Sequence, residues 1–253
     1  MDDDLAFALQ LADLADELSL LYFRGRGLAV EAKADLTPVS EADQAVELTL
    51  RERIARERPG EAVLGEEFGD ERGFGTRWII DPIDGTRNYV RGIPVFASLI
   101  ALERGGDLTL GVASAPALRR RWWAARGEGA FVDGEPAHVS LVSRLGDATF
   151  CYTSARSFDL EGMLAPFMEL AHGSWAARGF GDFWAHVLVA EGAADFAVET
   201  DLHPWDVAAV KVIVEEAGGR CTGLDGEDSL SGPIVSSNGL LHDEVLEALR
   251  RGA

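Results

Sequence analysis

Phe7, Leu11, Leu14, Leu18, Leu21 and Tyr22 recur at steps of four and three, the spacing that lays an apolar stripe along one face of an α-helix. Asp2, Asp3 and Asp4 stand at its N-terminal end, where negative charge complements the helix dipole, and the helix is expected to end near Gly25 and Gly27. The stretch from Glu31 to Asp43 is polar and contains Thr37-Pro38, so a strand or loop is expected before a second helix over residues 41–57, which Pro59-Gly60 stops. The period then shortens. Apolar runs at 62–64, 78–80, 95–102, 108–113 and 122–125, separated by glycine-rich turns, predict an antiparallel sheet in the first half. Beyond it the pattern alternates: strand 148–152, helices near 160–171 and 182–191, strand 195–199, helix 205–217, strand 234–236 and a final helix from 241. That alternation predicts an α/β layer. The turn Asp133-Gly134-Glu135-Pro136 puts the divide between Gly134 and Val142, giving parts 1–138 and 139–253. No linker is long or low in complexity, and no internal repeat is present.

With 253 residues, 47% of them hydrophobic, the chain can bury a substantial core, as one large domain or two closely packed small ones. Acidic residues outnumber basic ones 43 to 23, and the net charge of -20 repels nucleic acid and anionic membrane. For scattered acids such as Asp2 to Asp4 a solvated surface is explanation enough. Apolar runs such as 95–102 are too short to span a bilayer, and Met1-Asp2-Asp3-Asp4 has the wrong sign for a signal peptide, so a cytoplasmic location is expected. Cys151 and Cys221 form no metal or redox motif and are expected as buried free thiols. The five histidines, at 138, 172, 186, 203 and 242, show no ligand spacing and none is assigned to catalysis.

Chemistry concentrates where carboxylates cluster beside turns. Gly65-Glu66-Glu67-Phe68 follows an apolar strand, and Trp78-Ile79-Ile80 delivers Asp81 at another expected strand end. Pro82 biases Asp81 toward an extended conformation, and a turn would let Asp81 and Asp84 point at one spot. Converging carboxylates that otherwise repel suit hard cations, with the Ile83 carbonyl as a further oxygen. Gly85-Thr86-Arg87-Asn88 reads as the opening of a short helix whose free N–H groups suit phosphate. Taken alone, Asp81 and Asp84 are equally served by ordinary turn and cap roles. In Leu202-His203-Pro204-Trp205-Asp206, Asp206 opens a helix, placed either as a first-turn acid or as a ligand.

Gly65-Glu66-Glu67, Asp81-Pro82-Ile83-Asp84-Gly85-Thr86 and Trp205-Asp206 leading to Glu216-Ala217-Gly218-Gly219 together resemble the inositol monophosphatase family of Mg-dependent phosphatases. The resemblance runs from Lys33 to the terminal helix. It implies an α+β or α/β architecture, a layered αβαβα sandwich of the inositol monophosphatase and sugar phosphatase type, associating as a homodimer. It further implies that Glu66, Asp81 and the Ile83 carbonyl hold one Mg2+ ion and that Asp81, Asp84 and Asp206 hold a second, with a labile third near Glu66. Most ligands then come from the first part of the chain, and the second supplies Asp206 and substrate contacts. Under that reading water is the nucleophile, Glu66 and Thr86 orient and deprotonate it, and Asp43 supports Thr86. Glu67 stands behind the site, and Lys33 could approach it as the loop before the second helix closes, though a solvated surface residue explains Lys33 better.

Finer segments resemble the histidinol-phosphatase branch: residues 35–43, residues 88–95 with Ala97-Ser98-Leu99, and residues 121–127. The branch implies hydrolysis of L-histidinol phosphate, a step of histidine biosynthesis. A substrate carrying an ammonium and an imidazole calls for acids that metals do not use, and Asp182 and Glu199 are the candidates. Gly85, Thr86 and Asp206 complete the expected substrate contacts. Asp182 serves equally as a helix cap, and inositol 1-phosphate, another small sugar phosphate, or a non-catalytic cation-binding module remain open.

Overall fold

The computed structural model describes residues 3–24, 30–32, 38–70 and 75–251, with 30–32 and 38–40 described by their backbone. The first amphipathic stretch forms α1 (Asp3–Tyr22) and the second α2 (Glu41–Glu57). Between them β1 (Val30–Ala32) and β2 (Pro38–Ser40) make a two-stranded antiparallel ribbon. Then follow β3 (Ala62–Gly65), β4 (Gly69–Asp70), β5 (Thr76–Asp84), α3 (Thr86–Val90), β6 (Ala97–Arg104), β7 (Asp107–Ala115), β8 (Arg120–Ala125), β9 (Gly129–Val132) and β10 (Glu135–Ala137). These strands form one eight-stranded sheet in the order β10-β9-β8-β7-β6-β5-β3-β4. The expected antiparallel sheet carries one exception, since β3 runs parallel to β5 and α2 lies before them rather than between.

The second half opens with β11 (Thr149–Tyr152), α4 (Ala155–Leu160), α5 (Leu164–Gly173), β12 (Ala176–Gly179) and α6 (Asp182–Ala190). It closes with β13 (Phe196–Leu202), α7 (Pro204–Glu216), β14 (Arg220–Gly223), β15 (Gly232–Ser237) and α8 (His242–Arg250). The five-stranded sheet has the order β12-β11-β13-β15-β14, parallel across β12, β11 and β13 and antiparallel beyond. The single helix expected near 160–171 is two helices, because Gly162 takes a φ of 71° that ends α4 and redirects the chain into α5.

Five layers result. Leu11, Leu50 and Ile54 of α1 and α2 pack on Trp78, Ile80 and Leu102 of the large sheet. On the opposite face of that sheet, Val207, Val210 and Val214 of α7 and Phe183 of α6 meet Leu99, Ala113 and Trp122. The same helix layer leans on the second sheet through Ala185 and Val189 against Cys151 and Ala197. Phe167, Val245 and Leu249 of α5 and α8 close its far face over Phe150, Phe196 and Val198. The order helix, sheet, helix, sheet, helix is the αβαβα sandwich expected above. Its central layer places the N-termini of α6 and α7 beside the end of β5. Among the described residues, no helix is long and apolar enough to cross a membrane.

Two histidines belong to this core. His186 of α6 is buried, its Nδ1 2.7 Å from Ser236 Oγ, and burial pushes its pKa down to about 4. The folded state thus keeps a neutral imidazole where the unfolded chain takes up a proton. Stability from this residue is complete above the ordinary histidine range and is lost as pH falls toward 4. The stability difference between wild type and His186→Gln, from urea unfolding, is expected to shrink by about 1 kcal/mol per pH unit between roughly pH 6 and pH 4.5. A pH-independent difference would show that His186 is not neutral in the fold. Cys151 and Cys221 are buried free thiols pushed up to about 11 by burial, so neither is a thiolate.

Candidate active site

β5 does not end at Asp81. It continues through Pro82 and Ile83 to Asp84, with Asp81 opposite Leu99 and Asp84 opposite Ala97 on β6. Three steps on β5 against two on β6 make a bulge, so the expected turn between the two aspartates is corrected to a bulged strand. Pro82, which has no N–H for the ladder, is tolerated there, and its carbonyl accepts a 2.7 Å hydrogen bond from Ser98 Oγ. The bulge aims both carboxylates at the N-terminus of α7. One oxygen from each of Asp81, Asp84 and Asp206 lies within 4.8 Å of the others.

Asp206 sits in the first turn of α7, where it also accepts the His203 backbone N–H at 2.7 Å. The cap role and a place in the acid cluster therefore coincide in one carboxylate. The His203 ring stacks flat on Trp205, with centroids 4.9 Å apart, outside the cluster.

The electrostatics are those of a site built for cations. Asp81 and Asp84 are 2% and 7% exposed. Burial holds the Asp81 carboxyl well above its usual range, and repulsion from Glu66, Asp84, Asp206 and Asp43 adds to it. Asp84 is raised by burial and then by Asp182 and Asp206, against a 2.6 Å hydrogen bond that it accepts from the Phe183 N–H. Among the described residues Asp81 Oδ1 is buried with no hydrogen-bond donor. An oxygen-only donor set with an orphaned buried oxygen fits a hard divalent ion such as Mg2+.

Glu66 follows β3 in a turn, half-buried, close enough to raise Asp81 but outside the three-residue cluster. A residue that sequence reasoning missed shapes this turn. Glu47 of α2 is fully buried and accepts hydrogen bonds from the backbone N–H groups of Glu67 (2.7 Å) and Phe68 (3.2 Å) and from Arg51 Nε (2.8 Å). Arg51 in turn donates to the Gly69 carbonyl at 2.5 Å. Gly65 admits this arrangement, since a Cβ there would stand 2.0 Å from Glu47 Oε1. The available signal was a charged i, i+4 pair on the face of α2 that carries Val46, Leu50 and Ile54.

Thr86 begins α3, and its hydroxyl lies 3.0 Å from the Ile83 carbonyl and 3.4 Å from Asp43 Oδ1. Ile83 and Asp43 are fully buried. A carbonyl has two lone pairs, so the contact with Thr86 leaves Ile83 able to serve a cation. Glu67 is half-buried beside Glu66. Lys33, and residues 35–37 of the first branch-like segment, lie outside the described residues.

In the second half of the chain, Asp182 is the first residue of α6 rather than its cap. It holds a φ of 53°, and Gly181 before it is wedged so that a Cβ would stand 2.4 Å from the Thr153 Cα. Asp182 Oδ2 lies 3.4 Å from Asn88 Nδ2 of α3. Burial and then Asp206 push Asp182 up to about 6, with Arg87 opposing. Glu199 of β13 is 2% exposed beneath this turn. Burial and the Asp182 charge raise it well above the usual range, and the Asp182 backbone N–H and Thr153 hydroxyl oppose the rise.

The family model for the inositol monophosphatase family matches residues 1–252. The chain belongs to that family. Among its relatives in the inositol monophosphatase family, the histidinol-phosphatase of Mycobacterium tuberculosis is 51% identical, covering 99% of each chain. That of Streptomyces coelicolor is 48% identical over 98% of this chain and 97% of its own. Among solved structures, the Thermotoga maritima IMPase superposes with a TM-score of 0.91 at 33% identity, covering 99% of this chain and 98% of its own. The layered fold and the acid cluster described above are thus those of an inositol monophosphatase family member.

Proposed function

We propose that the chain is a Mg2+-dependent phosphomonoesterase that hydrolyses L-histidinol phosphate to L-histidinol and phosphate. The observation that carries the reaction is the convergence of the buried Asp81 and Asp84 with the half-buried Asp206, mutually repelling, beside Glu66. The substrate is supported by the names of the two relatives at about half identity and by Asp182, an acid outside the three-residue cluster. A homodimer in the cytoplasm belongs to the same reading.

Glu66, Asp81, the Ile83 carbonyl, Asp84 and Asp206 would hold two Mg2+ ions, with a third near Glu66. Bound there, such ions supply charge for the phosphoryl oxygens and the leaving alkoxide and lower the pKa of water. The chain's own residues do the rest. Thr86, donating to the Ile83 carbonyl, keeps its lone pairs to accept a hydrogen bond from the attacking water, and Glu66 takes the proton. Asp43 Oδ1, 3.4 Å behind Thr86, is the alternative acceptor for that single hydroxyl proton, so either bond turns the proton inward and leaves a lone pair for the water. Gly85 and Thr86, at the start of α3, offer backbone N–H groups to phosphate oxygens.

Phosphate release measured with Mg2+ is expected to favour histidinol phosphate over inositol 1-phosphate by about 100-fold or more in kcat/KM. A preference for the inositol ester would overturn the substrate assignment while leaving the reaction class intact.

A further inference from the structure

Among the described residues Asp182 is a carboxylate without an ion pair, set next to the acid cluster. Its neighbour Phe183 donates its backbone N–H to Asp84 Oδ2 at 2.6 Å. Its own Oδ2 reaches to 3.4 Å from Asn88 Nδ2 and to 3.4 Å from a Cβ placed on Gly85, the residue directly after Asp84. The carboxylate thus stands against the residue that follows Asp84, so an ammonium that meets it while the phosphoryl group faces the acid cluster must be carried close to the ester. With C–C and C–N bonds of about 1.5 Å, an amine on the carbon next to the ester carbon lies about 3 Å from the ester oxygen. An amine further along the chain overshoots.

The charge around Asp182 selects the same group. Divalent cations repel a substrate ammonium unless a carboxylate outside their ligand set stands against it. Behind Asp182 lies Glu199, 2% exposed, whose Oε1 is buried with no hydrogen-bond donor among the described residues. That oxygen places a second carboxyl group under the first, and a cation arriving in front of Asp182 is favoured by both. Glu199 is closed off by the Asp182 turn, so Asp182 alone, half-buried, faces the ligand. One open acid reads one cation. In histidinol phosphate the amine sits next to the ester carbon, and the imidazole hangs further out.

We infer that the substrate class is the phosphate monoesters of 2-amino alcohols, with Asp182 reading the vicinal ammonium and Glu199 acting as a positioning residue beneath it. This rests on the phosphatase reading above and extends it to a wider activity in which the imidazole is dispensable. The test compares four esters with Mg2+: propyl phosphate, 2-aminopropyl phosphate, 3-(imidazol-4-yl)propyl phosphate and histidinol phosphate. In the wild type, 2-aminopropyl phosphate is expected to exceed propyl phosphate by about 100-fold in kcat/KM, and the imidazolyl ester without the amine to stay near propyl phosphate. In Asp182→Asn the ratio of amino to plain ester is expected to fall below about tenfold, chiefly through KM. Glu199→Gln is expected to lower the same ratio by a smaller factor. Histidinol phosphate turned over while 2-aminopropyl phosphate does no better than propyl phosphate would overturn the inference and leave the phosphatase reading standing. No release from any of the four would overturn both.

Discussion

Asp84→Asn is expected to lower Mg2+-dependent phosphate release by about 1000-fold or more in kcat/KM and, in the same protein without metal, to raise the melting temperature. Both effects have one source. Asp84 is buried beside Asp81, and its carboxyl is raised well above the usual range by burial and then by Asp182, Asp206 and Glu199. Ionising it in the metal-free fold therefore costs more than in the unfolded chain, where water hydrates the carboxylate freely. An amide removes the charge, and its oxygen still accepts the 2.6 Å hydrogen bond from Phe183. Relief of about 1–2 kcal/mol corresponds to a rise of roughly 2–8 °C for a chain of this size.

The pH dependence carries the same sign. Because the folded pKa lies above the unfolded one, the native state binds more protons in between, and metal-free wild type loses stability as pH rises through that window. Asp84→Asn is expected to flatten that loss. Added Mg2+ should stabilise wild type by mass action and the variant much less. Melting curves with EDTA and with Mg2+, beside a phosphate-release assay, check all of this. Undiminished turnover, or a metal-free variant less stable than wild type, would remove Asp84 from the cation site.

Glu47→Ala is expected to cost about 3–5 kcal/mol of stability and to depress activity in whatever folded protein remains. The substitution breaks a buried pair with Arg51 and withdraws the acceptor for the Glu67 and Phe68 N–H groups. The turn that presents Glu66 then loses its inner support. Glu47→Gln keeps an acceptor and a similar volume, so it should recover part of the stability. Urea unfolding of both variants, with kcat/KM measured at a temperature where each is folded, separates the structural loss from the effect on Glu66. Wild-type stability and turnover in Glu47→Ala would show that the turn is held by other contacts.

Much of the architecture was legible locally. Helix α2 falls on residues 41–57 as its period and the Pro59-Gly60 stop predict, and the parallel strands of the second half follow from helices alternating with short apolar runs. What escaped depends on geometry that periodicity does not carry. Gly162 reads as one glycine in an apolar stretch until its φ of 71° splits a helix. The bulge at Asp81 to Asp84 exists because β6 pairs with β5 on a register that no feature of β5 states. Glu47 looks like a surface acid on a charged helix, and only the closing of β3 over α2 buries it.

The sequence by itself determined which side chains are candidates for the chemistry. Short-range signals suffice for that, because acids at a strand end, a proline after Asp81 and a first-turn Asp206 are local facts of composition and spacing. Only the tertiary structure decided which of these acids meet, and in what role. Asp84 and Phe183 are 99 residues apart and meet through a 2.6 Å hydrogen bond because α6 and α7 share one layer against the large sheet. That layer gathers Asp81, Asp84 and Asp206, leaves Asp182 open at its edge, and sinks Glu199 beneath it. Such distances are set by how whole layers pack, and side-chain periodicity along one element contains no information about them.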